Sequence, residues 1–218
     1  MEYNVYFSPT GGTKKAAKLL SPEGKVIDLS LRGYSDRTEF SEDDLVFISV
    51  PSFQGRVPEW TAKKIKECLR GNGALCVINA CYGQRAYDDT LIELYDTVKE
   101  LGFRTVAAVS SVTEHSMWRE YAAGRPDEKD EEVLSSFREK ILEKIAENDF
   151  SEPFIPGNRP YKETHPGMTP IWEKELCTSC GACALACPTS AIDIMDCGVT
   201  DTSLCMSCMR CTDLCPTV

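Results

Sequence analysis

The chain has no long apolar run. A membrane-spanning helix needs about 20 predominantly apolar residues, and no stretch of the 218 residues approaches that, so no membrane span is expected. Basic residues are the minority: 24 Lys and Arg face 34 Asp and Glu, a formal net charge of −10. That deficit, with no concentrated basic patch and no RNA-binding motif, argues against a nucleic-acid partner. Histidine is nearly absent; His115 and His165 are too few for a histidine-based metal site. Met1 is followed by no charged and then apolar leader segment, so no secretory signal is expected. The expectation is a cytoplasmic protein with reduced thiols.

Cysteine, in contrast, is abundant at 12 residues, and eight of these form two matched phrases. Cys177, Cys180, Cys183 and Cys187 are followed by Pro188. Cys205, Cys208, Cys211 and Cys215 are followed by Pro216. Both read C-x2-C-x2-C-x3-C-P, the second displaced by 28 residues. A cubane iron–sulfur cluster needs four soft anionic ligands at fixed corners, which thiolates supply. The short loop C-x2-C-x2-C wraps three corners, and the small residues Gly181, Ala182 and Ser207 let backbone N–H groups approach the sulfur. A disulfide framework fits a secreted chain better. Zinc usually takes paired C-x2-C units, not two matched four-cysteine runs. Of the other cysteines, Cys76 lies in an apolar run and is expected in the core, with Cys68 and Cys81 as reduced thiols. Cys197 falls between the runs, as a structural thiol or a spare ligand.

The first two thirds alternate apolar runs with helical patterns. Strands are expected at Tyr3–Phe7, Lys25–Leu29, Leu45–Val50, Ala74–Asn79 and Thr105–Val109. Helices are expected at Thr13–Leu20, Pro58–Leu69 and Asp88–Leu101, the last ended by Gly102, and from an Asp127 N-cap to about Ala146. Five such strands predict an α/β doubly wound parallel sheet in the flavodoxin-like order 2-1-3-4-5. Ligands of such sheets bind at the carboxyl ends of the strands. Residues 149–169 carry Pro153, Pro156, Pro160 and Pro166 and read as an extended linker. The expected division is an α/β domain at 1–148, a linker at 149–169 and a small α+β cluster domain at 170–218.

Directly after the first strand comes Ser8-Pro9-Thr10-Gly11-Gly12-Thr13, placed where a phosphate cradle forms at a helix N-terminus. Hydroxyls at Ser8, Thr10 and Thr13 can donate, and Gly11 and Gly12 open the backbone. The loop has no lysine of the G-x4-G-K-[ST] kind, so neutral donors and the helix dipole would hold the anion. An ordinary strand–helix turn has much the same composition. Two more strand-end segments, Pro51–Arg56 and Ala80–Tyr87, would complete a ligand site through Ser52, Phe53, Gly55, Ala80, Tyr82, Gly83 and Tyr87. His115, after the fifth strand, either touches the ligand or makes a loop hydrogen bond.

The phosphate loop resembles that of flavodoxins and so implies FMN, with the other two loops flanking its ring. The cysteine runs resemble those of bacterial two-cluster ferredoxins. That likeness implies two [4Fe–4S] clusters with crossed ligation: Cys177, Cys180, Cys183 and Cys215 on one, Cys205, Cys208, Cys211 and Cys187 on the other. The whole chain resembles the flavodoxin–ferredoxin fusion proteins labelled "ferrodoxin". The likeness rests on the loop at 8–13, Tyr82–Asp89, Glu114-His115-Ser116 with Gly124-Arg125-Pro126-Asp127, Gly157-Asn158-Arg159-Pro160-Tyr161-Lys162, and the two cysteine runs. One departure is that the sequence reads only to Val218, with no strand after the second C-P to match the one expected at Ala191–Met195 after the first. The second cluster is therefore expected to be the more exposed.

Three functions follow, the third a redox sensor or assembly partner whose flavin site is empty. The first is an electron carrier relaying electrons between the clusters, FMN and a redox partner protein with a basic docking patch. The second is an FMN-dependent reductase of a small molecule fed by its own clusters; a bulky pocket over Phe53 and His115 would favour it.

Overall fold

A computed structural model describes residues 1–217; the expectation attached to Val218 lies outside the described residues. The first part carries β1 (Glu2–Tyr6), α1 (Gly12–Leu20), β2 (Lys25–Asp28), β3 (Thr38–Glu39), β4 (Leu45–Pro51), α2 (Glu59–Cys68), β5 (Leu69–Arg70), β6 (Leu75–Tyr82), α3 (Thr90–Glu100), β7 (Arg104–Val112) and α4 (Glu128–Ala146). Five strands pair in parallel in the order β2-β1-β4-β6-β7, the 2-1-3-4-5 arrangement of a flavodoxin-like doubly wound sheet. The central strands β4 (LVFISVP) and β6 (LCVINACY) are buried almost end to end. Only strands covered on both faces read so continuously apolar.

Two cores lie on the two faces of this sheet. Phe7, Ile48, Val50, Ile65, Ile78, Leu94 and Phe103 belong to one. Ala16, Leu20, Phe47, Val77, Val109 and Leu134 belong to the other. Cys76 is fully buried in the first, as its apolar run predicts. The buried Asn4 of β1 donates to the carbonyls of Ala17 and Ser21, at 3.0 and 2.9 Å. Ser21 O, at the C-cap of α1, is thereby satisfied, and Ala17 O gains a second donor beside Ser21 N at 2.9 Å. Asp127 caps α4, as the sequence predicts; in addition the Asp130 carboxylate accepts from Asp127 N, completing a capping box.

Three details differ from the sequence reading. Leu69 leaves the helix and, with Arg70, forms a short parallel ladder with Thr38–Glu39. Strand β6 runs on to Tyr82. No strand forms over 191–195; a single bridge joins Ile192 to Thr200. The Asp193 side chain accepts from Met195 N (2.7 Å) and Asp196 N (2.9 Å), a local turn that competes with strand pairing.

The segment 149–169 contains neither helix nor strand. It is nevertheless fastened to the sheet domain along α3. Buried Asp89 accepts from Asn158 N (2.8 Å), Asn158 Nδ2 (3.0 Å) and Lys162 N (2.7 Å). Asp96 takes Arg159 Nε (2.8 Å) and the Tyr161 hydroxyl (2.5 Å). Arg56 stacks on Tyr161 at 4.7 Å, donates to Lys162 O at 2.6 Å, and pairs with Glu93. Ile155 and Tyr161 pack against the first core. After the segment come two short helices, α5 (Ala182–Ala186) and α6 (Arg210–Asp213), around a third, very small core of Ala184, Cys187, Ala191 and Ile192.

Burial alone would raise the Asp89 carboxyl, but the N–H donors of Lys162 and Asn158 outweigh it and hold the group below its ordinary range. A depressed folded pKa stabilises the protein above the unfolded value, near 3.9. That contribution disappears as pH falls through the lower folded value. Asp89→Asn should therefore loosen residues 155–162 at neutral pH, read as faster amide exchange there. It should also abolish the loosening that the wild type shows as pH drops below about 4. Unchanged exchange in that segment would refute the tether.

Candidate cofactor sites

Parallel strands bring every βα loop to one edge, and the candidate residues gather there. Gly11 takes φ 89, a conformation open to glycine at little cost, and precedes α1 without a side-chain cap of its own. Ser8, buried three residues earlier, does the capping: its Oγ accepts from Lys14 N at 2.8 Å, while its own N–H donates to Ser30 Oγ at 2.6 Å. Lys15 N is bonded to Gly11 O. The N–H groups of Thr10, Gly11, Gly12 and Thr13 have no acceptor among the described residues. Four clustered N–H groups at a helix N-terminus fit a phosphate. Gly12 is needed for another reason: a Cβ there would lie 3.1 Å from Thr113 Cβ, on the loop after β7. Thr13 is buried beside Cys81, whose thiol burial pushes up to about 12. Its backbone N–H, more than its hydroxyl, is free for a ligand.

The neighbouring loops divide into those that face a cleft and those that support it. Phe53 and Arg56 exchange backbone bonds of 3.0 Å around Gln54 and Gly55, both at positive φ. A Cβ on Gly55 would strike Asp88 at 2.3 Å. Ser52 accepts from Thr90 Oγ1 at 2.7 Å and holds the loop to α3. Ala80, expected as a contact, lies inside β6 and wholly within the core. Tyr82 and Tyr87 meet edge to face, centroids 5.4 Å apart. Both line an open cleft of about 690 Å³ shared with Arg85, Asn158 and Lys162. An aromatic-walled cleft of that size suits a planar ring system. His115 packs directly on Gly83, where a Cβ would meet its ring at 2.5 Å. Its Nδ1 accepts from Met117 N and Trp118 N, both at 3.1 Å, and burial lowers its pKa. This is the loop hydrogen bond that the sequence offered as one alternative. An imidazole accepting at Nδ1 is neutral and carries its proton on Nε2.

The two cysteine loops are copies in backbone conformation as well as in sequence. Ser179 and Gly181 have φ 56 and 73; Ser207 and Met209, 28 residues on, have φ 57 and 61. Alternating left-handed residues turn successive N–H groups inward, the nest that anionic sulfur requires. Ser179 N already donates to Cys177 Sγ at 3.4 Å.

Cys187, Cys205, Cys208 and Cys211 together line one small cavity of about 40 Å³, with Pro188, Ile192 and Met206 in its wall. Among the described residues, no three His, Cys, Asp or Glu side chains converge tightly enough to hold a single ion. Four thiols set around a cavity fit the corners of a cluster better than one zinc. Burial pushes the Cys208 thiol up to about 12 and Cys211 to about 11. Thiols so placed ionise only with a cation at the sulfur. In the first run Cys177 Sγ lies 3.7 Å from Cys197 Sγ, and Cys180 is exposed. Cys197 is thus brought beside the first run.

The cluster module is seated on the loop-bearing edge of the sheet. Arg32 Nη1 donates to Ala184 O at 2.5 Å. Arg119 bridges Glu114, after β7, to Asp213 of α6. Met206, between two cysteines of the second run, packs on the first core. Arg210, between Cys208 and Cys211, donates to Ser8 O and Pro9 O, both at 3.2 Å. Sequence reasoning missed Arg32, Thr113, Arg119 and Arg210, and no local pattern marks them.

Residues 170–193 and 202–218 each match a family model described as a 4Fe-4S binding domain. Among solved structures, a putative flavoprotein from Bacteroides uniformis is 14% identical with a TM-score of 0.43, covering 63% of this chain and 97% of its own. A flavodoxin of Streptococcus pneumoniae is 15% identical at 0.43, with 66% and 98% covered. Rubredoxin oxygen:oxidoreductase from Desulfovibrio gigas is 14% identical at 0.43, with 67% and 36% covered. No curated protein matches the chain. The C-terminal part is accordingly a 4Fe–4S binding module beside a flavodoxin-like sheet.

Gly181 offers a clean test of the nest, because a Cβ there meets nothing within 4 Å. Gly181→Ala carries only the backbone cost of a left-handed alanine, about 1–2 kcal/mol. It should release iron to a chelator faster than wild type, while a Gly181→Asn variant stays closer to wild type. Equal release from all three would refute the role of that conformation.

Proposed function

We propose that this chain is an electron-transfer flavo-iron–sulfur protein that relays electrons between two [4Fe–4S] clusters and FMN, and to or from a redox partner. The seating of the cluster module on the sheet edge carries this reading, since Arg210 of the second cysteine loop touches the first residues of the phosphate loop. The unpartnered N–H groups of residues 10–13 would hold the FMN phosphate. Tyr82 and Tyr87 would wall the ring. The cavity formed by Cys187, Cys205, Cys208 and Cys211 supports the crossed ligand set for one cluster. Cys177, Cys180, Cys183 and Cys215 would hold the other, with Cys197 alongside.

FMN takes up two electrons and a cluster passes one, so a protein holding both can join one-electron and two-electron partners. The chain's own contribution is placement. Nests and buried apolar walls around the thiolates, and the docked segment 149–169, keep the two centres in one body. The reductase reading calls for a bulky pocket over Phe53 and His115. The cleft instead involves Tyr82, Tyr87 and residues 156–162, and His115 is engaged with its own loop. The relay is therefore the better-supported reading. A redox partner protein with a basic docking patch complements the acidic chain.

An anaerobic preparation should contain about eight iron atoms and one FMN per chain. Cys187→Ala should lower iron to about half and leave flavin in place, because crossed ligation makes this cysteine a corner of the second cluster. Full iron retention would sink the crossed assignment. Absence of a flavin absorption band from freshly reconstituted wild type would sink the relay.

A further inference from the structure

Arg210 is an unusual cation for this chain. It sits between two cysteines of the second run, yet its side chain reaches across to the βα loop after β1, 202 residues away in sequence. Its Nη1 donates to Ser8 O and Pro9 O at 3.2 Å, at the long end of hydrogen-bond distance. Its Nε is buried with no partner. No carboxylate pairs with it among the described residues, and the acidic residue of its own helix, Asp213, pairs with Arg119 instead. In a chain with 34 acidic against 24 basic residues, an unpaired guanidinium at a domain contact is conspicuous. A buried, unsatisfied donor is costly. The arrangement makes sense if an acceptor belongs there.

The position of Arg210 says which acceptor. It lies on the loop whose N–H groups at residues 10–13 are also unpartnered. The two lysines of the helix start do not fill the role. Lys15 is bonded to the carbonyls of Gly124 and Pro126, and Lys14 is exposed. The phosphate loop therefore has no cation of its own, while one arrives from the other domain.

We infer that Arg210 is a binding residue for the flavin phosphate, supplied by the cluster module, so that phosphate binding and the seating of the second cysteine loop reinforce each other. The inference rests on the FMN reading above. A guanidinium beside a phosphate dianion makes charge-assisted bonds that neutral donors cannot match. By linkage, whatever FMN gains from a seated module, the module gains from bound FMN. FMN then acts as a fastener between the domains as well as an electron carrier, and loss of the second cluster should weaken FMN binding.

The test compares FMN with riboflavin, which lacks the phosphate, on reconstituted, iron-loaded full-length protein, by quenching of flavin fluorescence. Arg210→Gln and Arg210→Ala should weaken FMN by about tenfold or more, leave riboflavin unchanged and retain iron. Arg210→Lys should fall between. Should the neutral variants fail to hold iron, the wild type supplies an independent reading. Its preference for FMN over riboflavin should shrink as salt rises, because a phosphate–guanidinium pair is screened. Equal weakening of both flavins would overturn the inference, showing that Arg210 only seats the module. Unchanged FMN affinity, or a salt-independent preference, would overturn it too and would assign the charge to the neighbouring cluster. Wild-type protein that binds neither flavin would fail the FMN reading itself, an outcome distinct from all of these.

Discussion

Parallel strand pairing is the constraint on which the molecule depends. Strands β1, β4, β6 and β7 run the same way, so the loops at 8–13, 51–56, 82–89 and 113–126 all open on one edge. Burying both faces of the sheet fixes that edge as the place where backbone N–H groups remain free. The cluster module is seated there, with Met206 on the sheet's core and Arg210 on its first loop. Had it docked on a helical face, the clusters and the loop would be separated by a layer of packed side chains.

The docking is made secure by a segment without regular structure. Residues 149–169 read as an extended linker by composition, yet Asp89 at the N-cap of α3 collects the N–H groups of Asn158 and Lys162, Asp96 holds Arg159 and Tyr161, and Arg56 closes on Tyr161 and Lys162. These bonds order the approach to the cysteine loops. They also build one wall of the cleft beside Tyr82 and Tyr87.

The module itself cannot stand on apolar packing. Its core has four buried residues, one of them a cysteine of the first run. Left-handed residues at 179, 181, 207 and 209 orient N–H groups at the expense of local backbone stability, most plainly at Met209. Metal binding must supply the missing energy, as in other small metal domains. The thiols of Cys208 and Cys211, raised by burial, point the same way.

Much of this was legible in the amino-acid order. Apolar runs and helix caps placed all five sheet strands and the four long helices, because those signals are local and repeated. The cysteine spacing marked the cluster loops because a cubane has fixed corners. The Ser/Thr/Gly loop marked a candidate cradle because only small residues allow that turn. What the sequence could not show were contacts between residues far apart in the chain. Ala80 followed an expected strand end, but the strand ran on and buried it. Asp89 fell inside the first turn of an expected helix and became the anchor of a segment about 70 residues later. Arg210 carried no signal in the sequence and became the cation over Ser8 and Pro9. Composition and spacing determine which chemistry a stretch of chain can carry. Only tertiary packing decides which stretches meet, since that depends on the summed burial of the whole sheet.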